Sequence, residues 1–257
     1  SAETPVITGS TLSVSDNTQQ AAAEANLATT TLTVAAGNSN GSSAALVNNQ
    51  IASGGATANS GSLGDTPTLG QIIQAPGAIS GGSSLAMSGN SNSALGVGND
   101  ATNTLTASAT NLTTASATPT NASATLAGGT TSALADYALT SVQSASGAPV
   151  SASANTTILN NDSLNTTTSG LANSAVAINN NSTTANAVAN RASNALNLSG
   201  TNASATGAVA SSQTNSSAVI ANALATVGFS LNGGDGVPAA TGSSIAVGGN
   251  SVQAQAV

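Results

Sequence analysis

The chain has 257 residues and contains no histidine, no cysteine and no tryptophan, and its single cation is Arg191. Without imidazole or thiol there is no general base near neutral pH, no thiolate nucleophile and no soft metal ligand set. Without lysine there is no Schiff base and no phosphate-binding P-loop. One arginine against eight carboxylates leaves a net charge of −7, which repels phosphate, so nucleic acid is excluded as a partner. Charged residues amount to 4%, and the aromatics are Tyr137 and Phe229 alone. No apolar run approaches the ~20 residues of a membrane span, which argues against membrane insertion. The expectation is a chain that is not an enzyme and needs no cofactor or metal.

What is present is small. Ala (53), Ser (40), Thr (35) and Asn (30) account for 158 positions, and Gly adds 27. Val, Ile and Leu total 45, too few to fill one wide core at native packing density. Low aliphatic content alone points to disorder or to a Ser/Thr-rich stalk. Disordered chains, however, usually carry high charge and much Pro, Glu and Lys. Here charge is minimal, Pro numbers 6 and mean hydropathy is slightly positive. A thin, repeating core lined by Ala, Ser, Thr and a few aliphatics suits this composition.

A repeat supports that choice. Leu85/Met87, Leu95/Val97, Leu105/Ala107 and Ala115/Ala117 recur at ten-residue intervals, each as an i, i+2 pair. Such pairs lie on one side of a strand. The spacers hold Gly89, Asn90, Asn99, Asp100, Asn103 and Asn111, residues that tolerate tight corners. The phase returns at Val176/Ile178, Val188 and Leu196/Leu198, then shifts by one at Val209, Val219 and Phe229. Thr11-Leu-Ser-Val14 matches Thr31-Leu-Thr-Val34 at a separation of twenty. The expected fold is therefore all-β, a β-solenoid (β-helix) of roughly 20-residue coils, each built from two ten-residue sides. Stacked at about 4.8 Å per coil it would form a rod on the order of 60 Å long. The Ala-rich stretch 16–28 is compatible with one short N-terminal helix capped at Asp16. Three regions are expected: 1–60 as an N-terminal segment with the first coils, 61–83 as a Gly/Pro-rich irregular segment, and 84–257 as the main rod.

Candidate chemistry is sparse. The carboxylates Glu3, Asp16, Glu24, Asp65, Asp100, Asp136, Asp162 and Asp235 are scattered, so solvated turn residues are favoured over an acid/base pair. Asn232-Gly-Gly-Asp235-Gly has part of a calcium-binding nonapeptide but occurs once, which favours a simple turn. The Asn-x-Ser/Thr sequons follow from composition alone. Thr29 to Thr33, Thr104/Thr106 and Thr166 to Thr168 suggest a water-ordering, ice-binding face, although they share no phase of the ten-residue repeat. Thr also simply favours strands.

The ends are more informative. A solenoid leaves an open sheet edge at each end, and monomeric ones blunt these with polar caps. Neither end here carries a charge cluster. Val6, Ile7, Leu12 and Val14 near the start, and Ile245, Val247, Val252 and Val257 near the end, read as strand residues available for self-assembly. Compatible uncapped ends predict head-to-tail stacking into a homopolymer. The alternatives are a monomeric adhesin rod that binds polysaccharide and an ice-binding rod. The adhesin would lack an aromatic platform for sugar, having only Tyr137 and Phe229.

The segment SAVAINNNSTTANAVANRASNALNL (174–198), and the texture of residues 84–231 generally, resembles bacterial cell-surface β-solenoid proteins of the holdfast-anchor and surface-filament type found in stalked alphaproteobacteria. The resemblance is one of composition and period. It implies secretion, an extracellular location at the cell surface, and a role in attachment or biofilm structure, with matrix polysaccharide as a partner. Ser1-Ala-Glu-Thr suits a mature chain left after cleavage at a small-residue site.

Overall fold

The structure, a computed structural model, describes residues 7–61, 70–73, 79–114, 119–126, 129–161, 171–230 and 240–257. All regular structure among them is β. The chain runs through the same sequence of strand positions three times and through its first three positions a fourth time. The first pass comprises β1 (Ile7–Thr8), β2 (Thr11–Ser15), β3 (Thr18–Ala35), β4 (Ser39–Asn40), β5 (Ala44–Ala52) and β6 (Ala56–Ser60), with β7 (Gly70–Ile73) after it. The second holds β8 (Ile79–Ser80), β9 (Ser84–Ser88), β10 (Ser91–Ser108), β11 (Asn111–Leu112), β12 (Thr120–Leu126), β13 (Gly129–Ala135), β14 (Tyr137–Ala145) and β15 (Val150–Asn161). The third holds β16 (Leu171–Ala172), β17 (Ala175–Asn179), β18 (Ser182–Ser199), β19 (Asn202–Ala203), β20 (Gly207–Asn215) and β21 (Val219–Ser230). In the fourth are β22 (Ala240–Thr241), β23 (Ser244–Gly248) and β24 (Ser251–Ala256).

Corresponding strands of successive passes pair in parallel, giving sheets β1-β8-β16-β22, β2-β9-β17-β23, β3-β10-β18-β24, β4-β11-β19, β5-β14-β20 and β6-β15-β21. The register is continuous: Thr18 lies beside Ser91, Ser91 beside Ser182, and Ser182 beside Ser251. Stacked residues are thus 73, 91 and 69 positions apart in sequence. The second pass is longer because β12 and β13, an antiparallel hairpin, are inserted between β11 and β14.

These registers correct the expected 20-residue coil. Leu85 and Leu105 belong to a single pass, and the partners of Leu85 are Leu12 and Val176. Thr11-Leu-Ser-Val14 and Thr31-Leu-Thr-Val34 lie in consecutive strands of one pass and do not pair with each other; their partners are 84–87 and 104–107. The ten-residue spacing runs along the strands, and the stacking interval is about seven times longer.

The helix expected at 16–28 is also absent, because Thr18–Ala35 is a strand. Its residues alternate between half-buried and exposed with period two on either side of Glu24–Ala25, and Ala21 and Ala23 pack inward while the backbone pairs with β10. Tertiary pairing overrides the helix propensity of Ala. Asp16 has φ 57°, a left-handed corner, whereas an N-cap needs an extended backbone.

The 18-residue strands bend in the middle. In β10 the buried positions are Asn92, Ala94 and Gly96 before the bend, Val97 and Gly98 at it, then Asn99, Ala101, Asn103, Leu105 and Ala107 after it. Gly98 sits between the two phases and takes no part in the ladder register. Before the bend the wall faces β15 through an all-Ala contact of Ala94, Ala152, Ala154, Ala185 and Ala187. The backbones approach so closely there that a Cβ on Gly96 would overlap the carbonyl oxygen of Ser151. Beyond the bend, Leu105 and Leu112 pack on Tyr137, Leu139 and Leu46. A third cluster unites Leu85, Met87, Val176 and Ile178 with Ile79 and Leu171.

Candidate self-assembly edges

Of the residues expected to drive assembly, Val6 lies outside the described residues. Ile7 begins β1, whose backbone pairs with β8 at Ile79. Leu12 and Val14 are in β2; Ile245 and Val247 are in β23; Val252 is in β24. Val257 donates its N–H to Ala187 O at 2.9 Å and accepts from Ala189 N at 2.8 Å. The two groups occupy the two opposite outer strands of the same sheets. They belong to common columns: Leu12, Leu85, Val176 and Ile245 stack in one, and Val14, Met87, Ile178 and Val247 in the next. Inner members such as Leu85 and Ile178 are 1% exposed or less, whereas Leu12, Ile245 and Val247 are 41%, 45% and 52% exposed. The outer members differ from the inner ones because no described strand covers them.

Polar columns run beside the apolar ones, and the sequence reading missed them. Asn17, Asn90, Asn181 and Asn250 form a ladder through all four passes. Asn17 Nδ2 donates to Asn90 Oδ1 at 3.0 Å, Asn90 Nδ2 to Asn181 Oδ1 at 2.9 Å, and Asn181 Nδ2 to Asn250 Oδ1 at 2.8 Å. Each of these Oδ1 atoms also accepts the backbone N–H of the preceding Asn, at 3.0–3.1 Å. The Nδ2 groups of Asn90, Asn181 and Asn250 reach back to Val14 O, Met87 O and Ile178 O, so the side chains of Asn90 and Asn181 each tie three passes together.

A serine column does likewise. The N–H of Ser10 donates to Ser83 Oγ, Ser83 N–H to Ser174 Oγ, and Ser174 N–H to Ser243 Oγ, at 3.1–3.3 Å. Shorter ladders cross the interior: Asn26, Asn99 and Asn190, both bonds 2.7 Å, and Gln50, Gln143 and Gln213 at 2.7 and 2.9 Å. Asn99, Asn103 and Gln143 are fully buried, which is tolerable only because their amides are paired.

Corners separate these columns. Asp16, Gly89, Asn180 and Gly249 all have φ between 57° and 70°, as do Gly9, Gly82, Asn173 and Gly242 between 49° and 80°. Each left-handed residue is followed by the Asn or Ser of a ladder. The signal was therefore in the sequence as [GN]-S-x5-[DGN]-N, found at 9, 82, 173 and 242, with one further match at 41 that lies outside these columns.

The remaining candidates are structural or lie elsewhere. Asp65, Asp162, Asp235, Glu3 and Thr166 to Thr168 are outside the described residues. Asp136 is buried and accepts from Thr206 N and Oγ1 at 2.7 and 2.8 Å. Arg191 stacks on Asp100 and lies 3.9 Å from Glu24; the hydrogen bond to Asp100 first, then its charge and that of Glu24, raise the guanidinium pKa. Tyr137 is fully buried and offers no stacking surface to a sugar. Among the described residues no three His, Cys, Asp or Glu are grouped as a metal site, and no helix is long and apolar enough to cross a membrane.

No protein-family model matches the chain, and no curated protein or solved structure is significantly similar to it.

Proposed function

We propose that the protein is a structural subunit that polymerises end to end, its four passes being successive coils of a β-solenoid with roughly 70 residues per coil. The observation that carries this reading is that the two outer edges repeat the column chemistry of the interior. A strand edge with unpaired N–H and C=O groups is a template for another chain. Here the edges lack the charges, Pro or bulges that usually protect them: Glu24 is the only residue of β1 to β3 that is charged, and β22 to β24 have none. The function needs no catalytic group, in keeping with the missing His, Cys and Lys. An extracellular setting at a bacterial surface, with adhesion or biofilm matrix as the use and polysaccharide as a partner, is supported by the texture of residues 174–198.

Electron microscopy with light scattering across a concentration series tests the reading. Thin unbranched fibres that appear above a critical concentration are expected; a protein that remains monomeric at every concentration refutes it.

One observation favours a second reading, a water-ordering, ice-binding face. Thr29, Thr31 and Thr33 on β3 stand in register with Thr102, Thr104 and Thr106 on β10, all on the outer side of the wall. The grid has spacings of about 4.8 by 6.8 Å. It stops at the third pass, where Ser193, Ala195 and Asn197 follow. Thermal hysteresis measured on the monomer decides this: none is expected if polymerisation is the function.

A further inference from the structure

The Ser10 and Asn17 corner columns have a direction. At every step of both a backbone N–H donates toward the later pass, joined in the Asn column by Nδ2, and an Oγ or Oδ1 accepts from the earlier one, whereas the interior Gln50–Gln143–Gln213 ladder runs the other way. The first pass therefore ends in acceptors, Ser10 Oγ and Asn17 Oδ1, that receive nothing from any described residue. The fourth ends in donors, the N–H of Ser243 and the N–H and Nδ2 of Asn250, whose onward partners are likewise lacking. Both pairs are seven residues apart. Edge against like edge would set acceptor on acceptor, so only a polar, open-ended contact satisfies them.

We propose that, within the filament, residues 7–24 of a second copy seat on residues 240–257 of the first, with Ser10 over Ser243 and Asn17 over Asn250. This rests on the end-to-end reading above. The corner column supports the same register independently. Along it the residues alternate Asp16, Gly89, Asn180, Gly249. The side-chain oxygen of each Asx leans over the following Gly, where any Cβ would overlap it: Asp16 Oδ1 at Gly89 and Asn180 Oδ1 at Gly249. An Asx thus needs Gly after it. With Gly249 at one edge and Asp16 at the other, the joint continues the alternation without two Asx meeting. The apolar columns continue as well, Ile245 against Leu12 and Val247 against Val14.

Ala256, in the fourth pass, lies beside Ala187 of the third. A different register would place Thr31 of the second copy on Ala195 of the first.

Because the chain has no cysteine, disulfide trapping distinguishes the two. Ser13 and Ala246 share a column and point outward at opposite edges. Within one molecule they are three strand spacings apart, about 14 Å, too far for a disulfide, which needs Cα atoms within ~7 Å. Ser13→Cys with Ala246→Cys, oxidised after assembly, is expected to give a ladder of covalent multimers on non-reducing gels. Thr31→Cys with Ala195→Cys is expected to give none. Wild-type protein that forms no fibres refutes the filament reading and this register with it. Fibres that form in the Ser13/Ala246 variant but leave it monomeric on the gel, or multimers from the Thr31/Ala195 variant, overturn the register and leave the filament reading standing.

Discussion

Removing one rung of the four-pass asparagine ladder tests the architecture most directly, because the cost depends on which rung is removed. Asn181→Ala deletes four hydrogen bonds: from Asn90 N at 3.1 Å, from Asn90 Nδ2 at 2.9 Å, to Met87 O at 3.0 Å and to Asn250 Oδ1 at 2.8 Å. At about 1 kcal/mol for each intramolecular bond, the expected loss is about 4 kcal/mol. Asn90 and Asn181 are buried, so water does not readily replace the missing partner. Asn250→Ala deletes three bonds at a rim where solvent can substitute, and about 2 kcal/mol is expected. Asn17→Ala deletes one side-chain bond, to Asn90 Oδ1, because the Asn17 backbone N–H keeps its acceptor. The expected loss is about 1 kcal/mol.

The order Asn181, Asn250, Asn17 is thus a consequence of ladder direction as well as burial. Urea unfolding of monomeric protein reads the sum, and amide exchange at Asn90 and Asn181 reads the individual passes. The second measurement is needed because stacked repeats can unfold in parts. If Asn181→Ala and Asn17→Ala agree within about 0.5 kcal/mol, the ladder is not carrying the load assigned to it.

Other consequences are simpler. Gly96→Ala forces a methyl against the Ser151 carbonyl and is expected to lower stability by about 1–3 kcal/mol, whereas Gly54→Ala, with open space around it, changes it by less than about 1 kcal/mol in either direction; thermal unfolding compares the two. Leu105→Ala in the fully buried cluster with Tyr137 is expected to cost about 2–5 kcal/mol, and Leu27→Ala, 67% exposed, less than about 0.5 kcal/mol. Arg191→Gln is expected to change stability by less than about 1 kcal/mol, because the ion pair is half exposed. The raised guanidinium pKa means that the arginine's contribution is complete below its ordinary titration range and is lost only above it, so this pair adds no pH dependence between about pH 7 and pH 10. Denaturation curves across that interval check it.

Strand pattern was legible because i, i+2 pairs such as Leu85/Met87 and Leu105/Ala107 are local. The stacking interval was not. A ten-residue spacing looks like a coil when read along one strand pair, but Leu95 belongs to the outward phase of β10 while Leu105 belongs to the inward phase. The change of phase at Gly98 lies between them. Only comparison over 69 to 91 residues reveals Gly9-Ser10…Asp16-Asn17 and its three later counterparts. Asparagine misled for a related reason. Its turn chemistry applies to Asn173 and Asn180, both at positive φ, but Asn99 and Asn103 stand inside the wall as rungs. A rung is defined by the identity of its neighbour in the next pass, and that neighbour is invisible to local reasoning. At the edges, Ile7, Leu12, Val14, Ile245, Val247 and Val252 lie on outer strands, while the directional partners Ser10, Asn17, Ser243 and Asn250 show no apolar or charge signal that singles them out.

The small-residue composition has a structural price that the ladders offset. An all-Ala contact such as Ala94, Ala152 and Ala185 buries little area per residue, and Ala against Ala fits almost any register. Apolar packing alone would leave the passes free to slide by two residues, which preserves the inward face. The amide columns remove that freedom. A slip of two would set the buried Asn99 against Val188 or Ala192 in place of Asn190, leaving its Nδ2 without that acceptor. Polar rungs therefore supply the specificity that large aliphatic side chains supply in other cores. On the proposed end-to-end contact the same requirement would act at an edge: an incoming copy that carries the matching rung would satisfy the exposed column, and a sequence without it would not, so that register within the subunit and selectivity between subunits would be one property of the same few asparagines and serines.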